Sequence, residues 1–347
     1  MAVDKIDVTG DPRVQRCTAV LNGKTYGYLL GVPQKGYQHT VFLIHGWPDL
    51  SMGWRYQIPK LLELGFRVVA PDMIGYGRTD APRVPPEPIS LYAYQRSADD
   101  IAELARQLGC TQIILGGHDW GGAIVYRTYL HHPTLISHLF VACTPYLPPT
   151  RTHIPRTELI NTHLPNFRYQ LQLASPIVES TITTPTHLRQ FFTAMYGGCG
   201  PQGERGFNTT DGLILPTLPT LIQPPPLMSN AELEYYVQEY SRTGLHGPLN
   251  WYRTYEANLE DDLVLLEKMD NLKIQIPVLF IAASSDVALP LKMAEKMGQF
   301  VPDLTRREVQ ASHWVLTERP GEVNGFLEEW FKGRGLVVEK EGGKSSL

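Results

Sequence analysis

The stretch "QIILGGHDWGGAIVYRTYLHH" (112–132) constrains the fold more than any other part of the chain. Its first half is an apolar run of the kind that forms a buried strand. Its second half reads as a helix that Pro133 stops. Between them small residues surround a single reactive side chain, Asp119. Gly117, Gly121 and Gly122 let backbone approach backbone closely at a tight turn. The pattern is that of a nucleophile elbow, a sharp strand-to-helix turn that holds one side chain at the edge of a sheet. Serine usually occupies its centre; here the centre is a carboxylate.

The flanking sequence supplies a sheet for this turn. "TVFLIHG" (40–46), "FRVVAPD" (66–72), "HLFVAC" (138–143) and "IPVLFIAASSD" (276–286) read as further strands. "DDIAELARQLG" carries Ile101, Leu104, Ala105 and Leu108 on one helical stripe and stops at Gly109. The last helix, "PGEVNGFLEEWFKG", carries Val323, Phe326, Leu327, Trp330 and Phe331 on another. Strands alternating with helices predict an α/β fold, a mostly parallel sheet flanked by helices. The alternation breaks after residue 144. Residues 144–228 are rich in Pro and Thr, and "GPQGERGFNTTDGLILPTLPTLIQPPPLM" (200–228) reads as a long irregular loop. A helix restarts behind a capping box, Ser229 with Glu232, and ends at Gly244. The expected organisation is a core of residues 1–144 and 266–347, with a mainly helical lid at 145–265 that includes the Pro-rich loop. Such a lid would cover the carboxyl ends of the strands, where open α/β sheets bind ligands.

The 347 residues are 43% hydrophobic, which suits a sizeable core. A net charge of −4 without a basic stripe argues against nucleic acid or an anionic membrane surface as partner. No apolar run is long enough to span a bilayer. Cys17, Cys110, Cys143 and Cys199 form no CxxC pair, as expected of reduced thiols in a cytoplasmic protein. The opening "MAVDKIDVTG" has no apolar secretory core, and the closing "SSL" resembles a peroxisomal address lacking its central basic residue. No HExxH and no Cys/His cluster suggests a metal, and "GYG" (75–77) lacks the third glycine of a dinucleotide loop. No cofactor is expected.

An elbow nucleophile is followed in chain order by an acid and then a histidine. "PVLFIAASSD" ends at Asp286 and "TRREVQASHW" supplies His313, each just past a predicted strand. The earlier strand end, "VACTPYL", offers no acid. A serine that attacked a saturated carbon would become an ether, which water does not readily cleave. An aspartate becomes an ester, which activated water hydrolyses at the aspartyl carbon. Asp119 therefore implies displacement at a tetrahedral carbon, with His313, oriented by Asp286, as the base for water. Backbone N–H groups at Trp47 and Trp120 would hold the oxyanion. Carbon–halogen bonds and epoxides both fit this chemistry. An epoxide oxygen stays attached and calls for acidic hydroxyl donors, for which the chain has seventeen tyrosines.

"HGWPDL" (45–50), "DMIGYGRTD" (72–80), "GHDWGG" (117–122), "GPLNWYR" (247–253), "SSDVALP" (284–290) and "SHWVLTERP" (312–320) resemble the soluble epoxide hydrolases of the α/β-hydrolase fold. The resemblance spans roughly residues 38 to 332, and "GPLNWYR" discriminates best because it belongs to the lid. It implies Asp119 as nucleophile and His313 with Asp286 as charge-relay pair. It implies Tyr252 as one epoxide-polarising acid and, through "FRYQLQ", Tyr169 as the other; Tyr255 and Tyr146 are their rivals. It also implies a cis peptide before Pro48 that brings the Trp47 N–H into the oxyanion hole. Trp54, Trp251 and Trp314 read as wall and core, and His45 and His118 as structural supports. The implied activity is conversion of a small apolar epoxide to a vicinal diol. A haloalkane dehalogenase and a ligand-binding receptor on the same fold are the alternatives. Homodimerisation, the epoxide's identity and the role of the Pro-rich loop stay open.

Overall fold

A computed structural model describes residues 2–268 and 272–337. The "SSL" ending lies outside the described residues. The strands are β1 (Val14–Leu21), β2 (Lys24–Gly31), β3 (Thr40–Ile44), β4 (Arg67–Pro71), β5 (Ile113–His118) and β6 (Ile136–Ala142), the short pair β7 (Phe207–Asn208) and β8 (Gly212–Leu213), then β9 (Val278–Ala283) and β10 (Leu304–Val309). Eight of them form one sheet in the order β1-β2-β4-β3-β5-β6-β9-β10, and β7 pairs only with β8. From β4 to β10 every pairing is parallel; β1 and β2 attach as an antiparallel hairpin. Every residue of β3, β5 and β9 is buried, as expected of parallel strands covered on both faces. The edge strand β1 alternates, with only Leu21 buried.

The covering helices follow from their stripes. Tyr94–Gln107 buries Ile101, Leu104 and Ala105, and Pro320–Gly333 buries Val323, Leu327, Trp330 and Phe331 with Phe326 half-buried. The order β4-β3-β5 means that the chain adds β4 on one side of β3 and β5 on the other, so the loops after these parallel strands diverge around one crevice at the strands' carboxyl ends.

Between β6 and β9 the chain leaves the sheet and is mainly helical. Its helices are Arg156–Thr162, Tyr169–Ala174, Ile177–Thr181, Pro185–Met195, Asn230–Tyr240, His246–Asn250 and Tyr255–Lys268, the last continuing past residue 265. Both halves of the Ser229–Glu232 capping box are formed, and Gly244 donates to the Tyr240 carbonyl at 2.8 Å. The Pro-rich stretch is not structureless. Its β7–β8 hairpin docks on the Tyr169–Ala174 helix: Tyr169 N–H donates to the Thr209 carbonyl at 3.0 Å, and Gln172 exchanges two 2.8 Å hydrogen bonds with the Leu213 backbone.

Charged and phenolic contacts clamp the insertion to the core. Arg127 makes a two-pronged pair with Asp262 at 2.6 and 2.8 Å. The fully buried Arg55 donates to Glu232 at 2.6 Å, and Arg78 pairs with Glu239 at 3.0 Å. Tyr236 donates to Asp49 Oδ1, Tyr240 to the Asp49 carbonyl at 3.0 Å and Tyr196 to the Pro48 carbonyl at 3.0 Å. Three phenols from the insertion therefore hold the loop that follows β3. No helix among the described residues is long and apolar enough to cross a membrane.

Candidate active site

Asp119 directly follows β5 and caps the helix Trp120–His131 with φ 55° and ψ −126°. A side chain held at positive φ is uncommon and strained, and the surroundings show what enforces it. A Cβ on Gly121 would overlap the Ile44 carbonyl, so the helix starts against the backbone of β3 and the turn has no room to relax. The Asp119 carbonyl accepts from the Gly122 N–H at 2.9 Å and from the Thr144 hydroxyl at 2.7 Å.

The sheet brings the distant residues to this carboxylate. His313 follows β10, and its Nδ1 lies 2.7 Å from Oδ2 of Asp286, which follows β9. Its Nε2 lies 3.5 Å from Asp119 Oδ2. Asp286 is fixed in turn by the N–H groups of Ala288 and Leu289, each donating to Oδ1 at 2.9 Å. The Trp47 N–H donates to Asp119 Oδ1 at 2.7 Å, and the Trp47–Pro48 peptide is cis. The Trp120 N–H sits at the first helical position after Asp119, where no acceptor exists within the helix.

The electrostatics follow from this packing. Burial opposes charge on Asp119, but His313 and the Trp47 N–H outweigh it and hold the carboxyl below its ordinary value. Burial likewise opposes charge on Asp286; His313 and the two backbone donors bring it down to about 2. Burial disfavours the imidazolium of His313, yet Asp286 and Asp119 together raise its pKa well above the usual histidine value. Both carboxylates thus favour the protonated form of the imidazole that lies between them.

Two lid tyrosines face this group. Tyr252 and Tyr169 are buried, with ring centroids 6.1 Å apart. Tyr252 packs edge-on against Trp47 at 5.1 Å and Trp120 at 5.5 Å. Burial raises the pKa of both phenols, and the Asp119 charge raises both further. The rivals are engaged elsewhere: the Tyr255 hydroxyl donates to the Ile154 carbonyl at 2.6 Å and the Tyr146 hydroxyl to the Leu272 carbonyl at 2.5 Å.

His45 accepts from the Met73 N–H through Nε2 at 3.0 Å and donates through Nδ1 to the Gly46 carbonyl at 2.9 Å, which fixes the turn before Trp47. His118, held down to about 4 chiefly by burial, is neutral and donates from Nε2 to the His313 carbonyl at 2.9 Å. Trp251 donates to the Ile74 carbonyl at 3.0 Å, Trp314 to the Met195 carbonyl at 2.9 Å, and Trp54 is buried in the core. Folding also gathers ligand-type atoms of His118, Cys143 and His313 within 4.8 Å, a grouping that their wide spacing hides in the sequence. Both ring nitrogens of His313 already face carboxylates. His118 Nδ1 has no hydrogen-bond partner, and the Cys143 thiol donates to the His313 carbonyl at 3.5 Å.

Two features of the site have no counterpart in the sequence reading. One is the clamp of Tyr196, Tyr236 and Tyr240 on the Pro48–Asp49 segment; the other is Arg156, which donates to the carbonyls of Tyr252 and Gln170.

An eight-stranded sheet with an aspartate elbow and a helical insertion defines a class, and residues 39–320 match the model of the alpha/beta hydrolase fold family. The chain is 40% identical over 336 residues to the epoxide hydrolase srdG of Neurospora crassa, covering 93% of this chain and 96% of that protein. It is 32% identical to bifunctional epoxide hydrolase 2 of Rattus norvegicus over 90% of this chain, and it spans 56% of that longer protein. The structure of epoxide hydrolase A from Mycobacterium thermoresistibile superposes with a TM-score of 0.77 at 27% identity, covering 92% of this chain and 98% of that one. The chain belongs to the epoxide hydrolase family of the α/β-hydrolase fold.

Proposed function

We propose that this protein hydrolyses an epoxide to a vicinal diol through an ester on Asp119, without a cofactor. The observation that carries the reading is the placement of His313 between Asp286 and Asp119, with the phenols of Tyr169 and Tyr252 across the site. In the first step an Asp119 oxygen attacks a ring carbon. The ring carbon–oxygen bond breaks, and the oxygen takes a proton from Tyr252 or Tyr169. Esterification removes the Asp119 charge, one of the two that hold the proton on His313. That proton passes to the phenolate, and His313 becomes neutral.

In the second step His313 Nε2 takes a proton from water, and the hydroxide adds to the Asp119 carboxyl carbon. The Trp47 N–H, already bonded to Asp119 Oδ1, and the Trp120 N–H serve the developing oxyanion. Collapse breaks the ester, the diol oxygen takes the His313 proton, and the restored carboxyl proton returns to His313. Atoms and charge balance, and the resting ion pair is recovered.

Residues 145–265 act as the lid in this scheme and the remainder as the core. The aromatic wall of Trp47, Trp120 and Tyr252 favours a small apolar epoxide. Four free cysteines suit a cytoplasmic location. The test is turnover of a panel of aryl and aliphatic epoxides and chloroalkanes. Diol from epoxides without halide from chloroalkanes is expected. Halide release without diol would assign a dehalogenase, and tight epoxide binding without turnover a receptor.

A further inference from the structure

Arg156 is a half-buried cation without a carboxylate partner among the described residues. Arg55, Arg78, Arg127 and Arg253 each pair with a carboxylate. Among the described residues no carboxylate pairs with Arg156; the groups that bear on its charge are the phenols of Tyr252, Tyr169 and Tyr255. Leaving a guanidinium unpaired away from water is costly, and a guanidinium does not escape the cost by losing its proton.

What Arg156 does touch is informative. Its Nη1 donates to the carbonyl of Tyr252, and its Nη2 donates to the carbonyl of Gln170 at 3.1 Å. Gln170 is the neighbour of Tyr169. One planar fork therefore ties together the two backbone segments that carry the lid phenols. The fork is itself held: the Tyr255 hydroxyl donates to the carbonyl of Ile154, two residues before Arg156. With the Tyr255 proton engaged there, Tyr169 and Tyr252 are the phenols left to acquire charge.

Ring opening creates the missing anion. When the epoxide oxygen takes a phenolic proton, a phenolate appears in a buried site that already holds the Asp286 carboxylate. A fixed cation held on the same two backbone segments is worth far more there than in water, and needs no reorganisation at the moment of reaction. Water hydrolysis of the ester, by contrast, runs through His313 and the Trp47 N–H on the core side and makes no use of Arg156.

We propose that Arg156 is a positioning residue for the ring-opening half-reaction: it aligns Tyr169 and Tyr252 through their backbones and supplies the counter-charge for the phenolate formed there. The inference rests on the aspartyl-ester reading above. Rapid-quench single turnovers with an aryl epoxide, followed by intact mass, give the rates at which the Asp119 adduct forms and decays. In Arg156→Met adduct formation is expected to slow about 10–100-fold while decay stays within about twofold of wild type. Arg156→Lys restores the charge but not the two-pronged fork, and should fall between the two. A structural role alone would slow both steps together, and that result, or wild-type adduct formation in Arg156→Met, overturns the inference. If Arg156→Met does not fold, wild-type adduct formation in Arg156→Lys overturns it. Absence of any adduct in the wild-type protein refutes the ester reading itself and this inference with it, whereas a wild-type adduct with unaltered variant kinetics refutes only the role of Arg156.

Discussion

His313 Nε2 stands 3.5 Å from Asp119 Oδ2, longer than an N–H···O hydrogen bond and close enough for an ion pair. That spacing suits a base that acts on the carbon of the Asp119 ester through an intervening water. His313→Gln is expected to form the alkyl-enzyme at close to the wild-type rate and to release it at least about 10²-fold more slowly. Intact mass after mixing with substrate should show one adduct per chain. Steady turnover at the wild-type rate would remove His313 from the mechanism.

The two phenols should contribute unequally only if one geometry is preferred. Tyr252→Phe or Tyr169→Phe should slow adduct formation by about 10²–10³-fold, the usual effect of deleting one donor to a developing oxyanion. The double variant should nearly abolish it. Full activity in either single variant excludes that residue as an essential donor.

Gly46 offers a test of the nucleophile's seat. A Cβ there would overlap Oδ1 of Asp119, the atom that accepts from the Trp47 N–H. Gly46→Ala should therefore displace the carboxylate and lower kcat at least about 10²-fold, since small misplacements of reacting groups cost that much. Circular dichroism should show the fold retained. Unchanged kcat would mean that the carboxylate has room the structure does not show.

The ion pair makes stability depend on pH in both directions. Asp286 is brought down to about 2 in the folded chain, so its stabilisation is present above the ordinary carboxylate value and is lost as pH falls toward 2. His313 is raised, so its stabilisation is fully present below the ordinary histidine value and is lost as pH rises through the elevated one. Urea midpoints measured from pH 3 to 10 should fall at both ends, and His313→Gln should flatten both limbs. A midpoint in wild type that is indifferent to alkaline pH contradicts the raised His313.

Lid attachment is tested at Glu232. Its partner Arg55 is fully buried, so Glu232→Gln leaves a buried cation short of its charge partner and should cost about 3–5 kcal/mol in urea unfolding. A loss below about 1 kcal/mol would mean that the pair is solvated.

Much of this was legible in the sequence. Asp119 and Asp286 each follow a strand whose apolar run is plain, because parallel interior strands are buried on both faces, whereas His313 follows the edge strand β10, whose mixed run buries only Val309. The β1–β2 hairpin was less so: β1 has a single buried residue and therefore no apolar run, although Asn22-Gly23 between Leu21 and Lys24 is the strongest short-range hairpin signal. Tyr252 was marked by "GPLNWYR" and Tyr169 by the shorter "FRYQLQ"; what holds the Tyr169 segment in place, the β7–β8 hairpin and Arg156, was not. The Asp49 clamp is formed by residues 187 and 191 positions away, and Arg156 reaches a carbonyl 96 positions away. Contacts of that separation leave no periodicity to read, and side chains bonded to backbone carbonyls leave no pairing of residue types either.

The central claim is that the Asp119 carboxyl bonds to a tetrahedral carbon and is released by water attacking the carboxyl carbon. A single turnover in heavy-oxygen water, with the peptide containing Asp119 then weighed, tests it most directly. The account predicts one heavy oxygen in Asp119 after the first cycle and unlabelled diol from that cycle. Label that enters the first diol while the Asp119 peptide keeps its natural mass would contradict it.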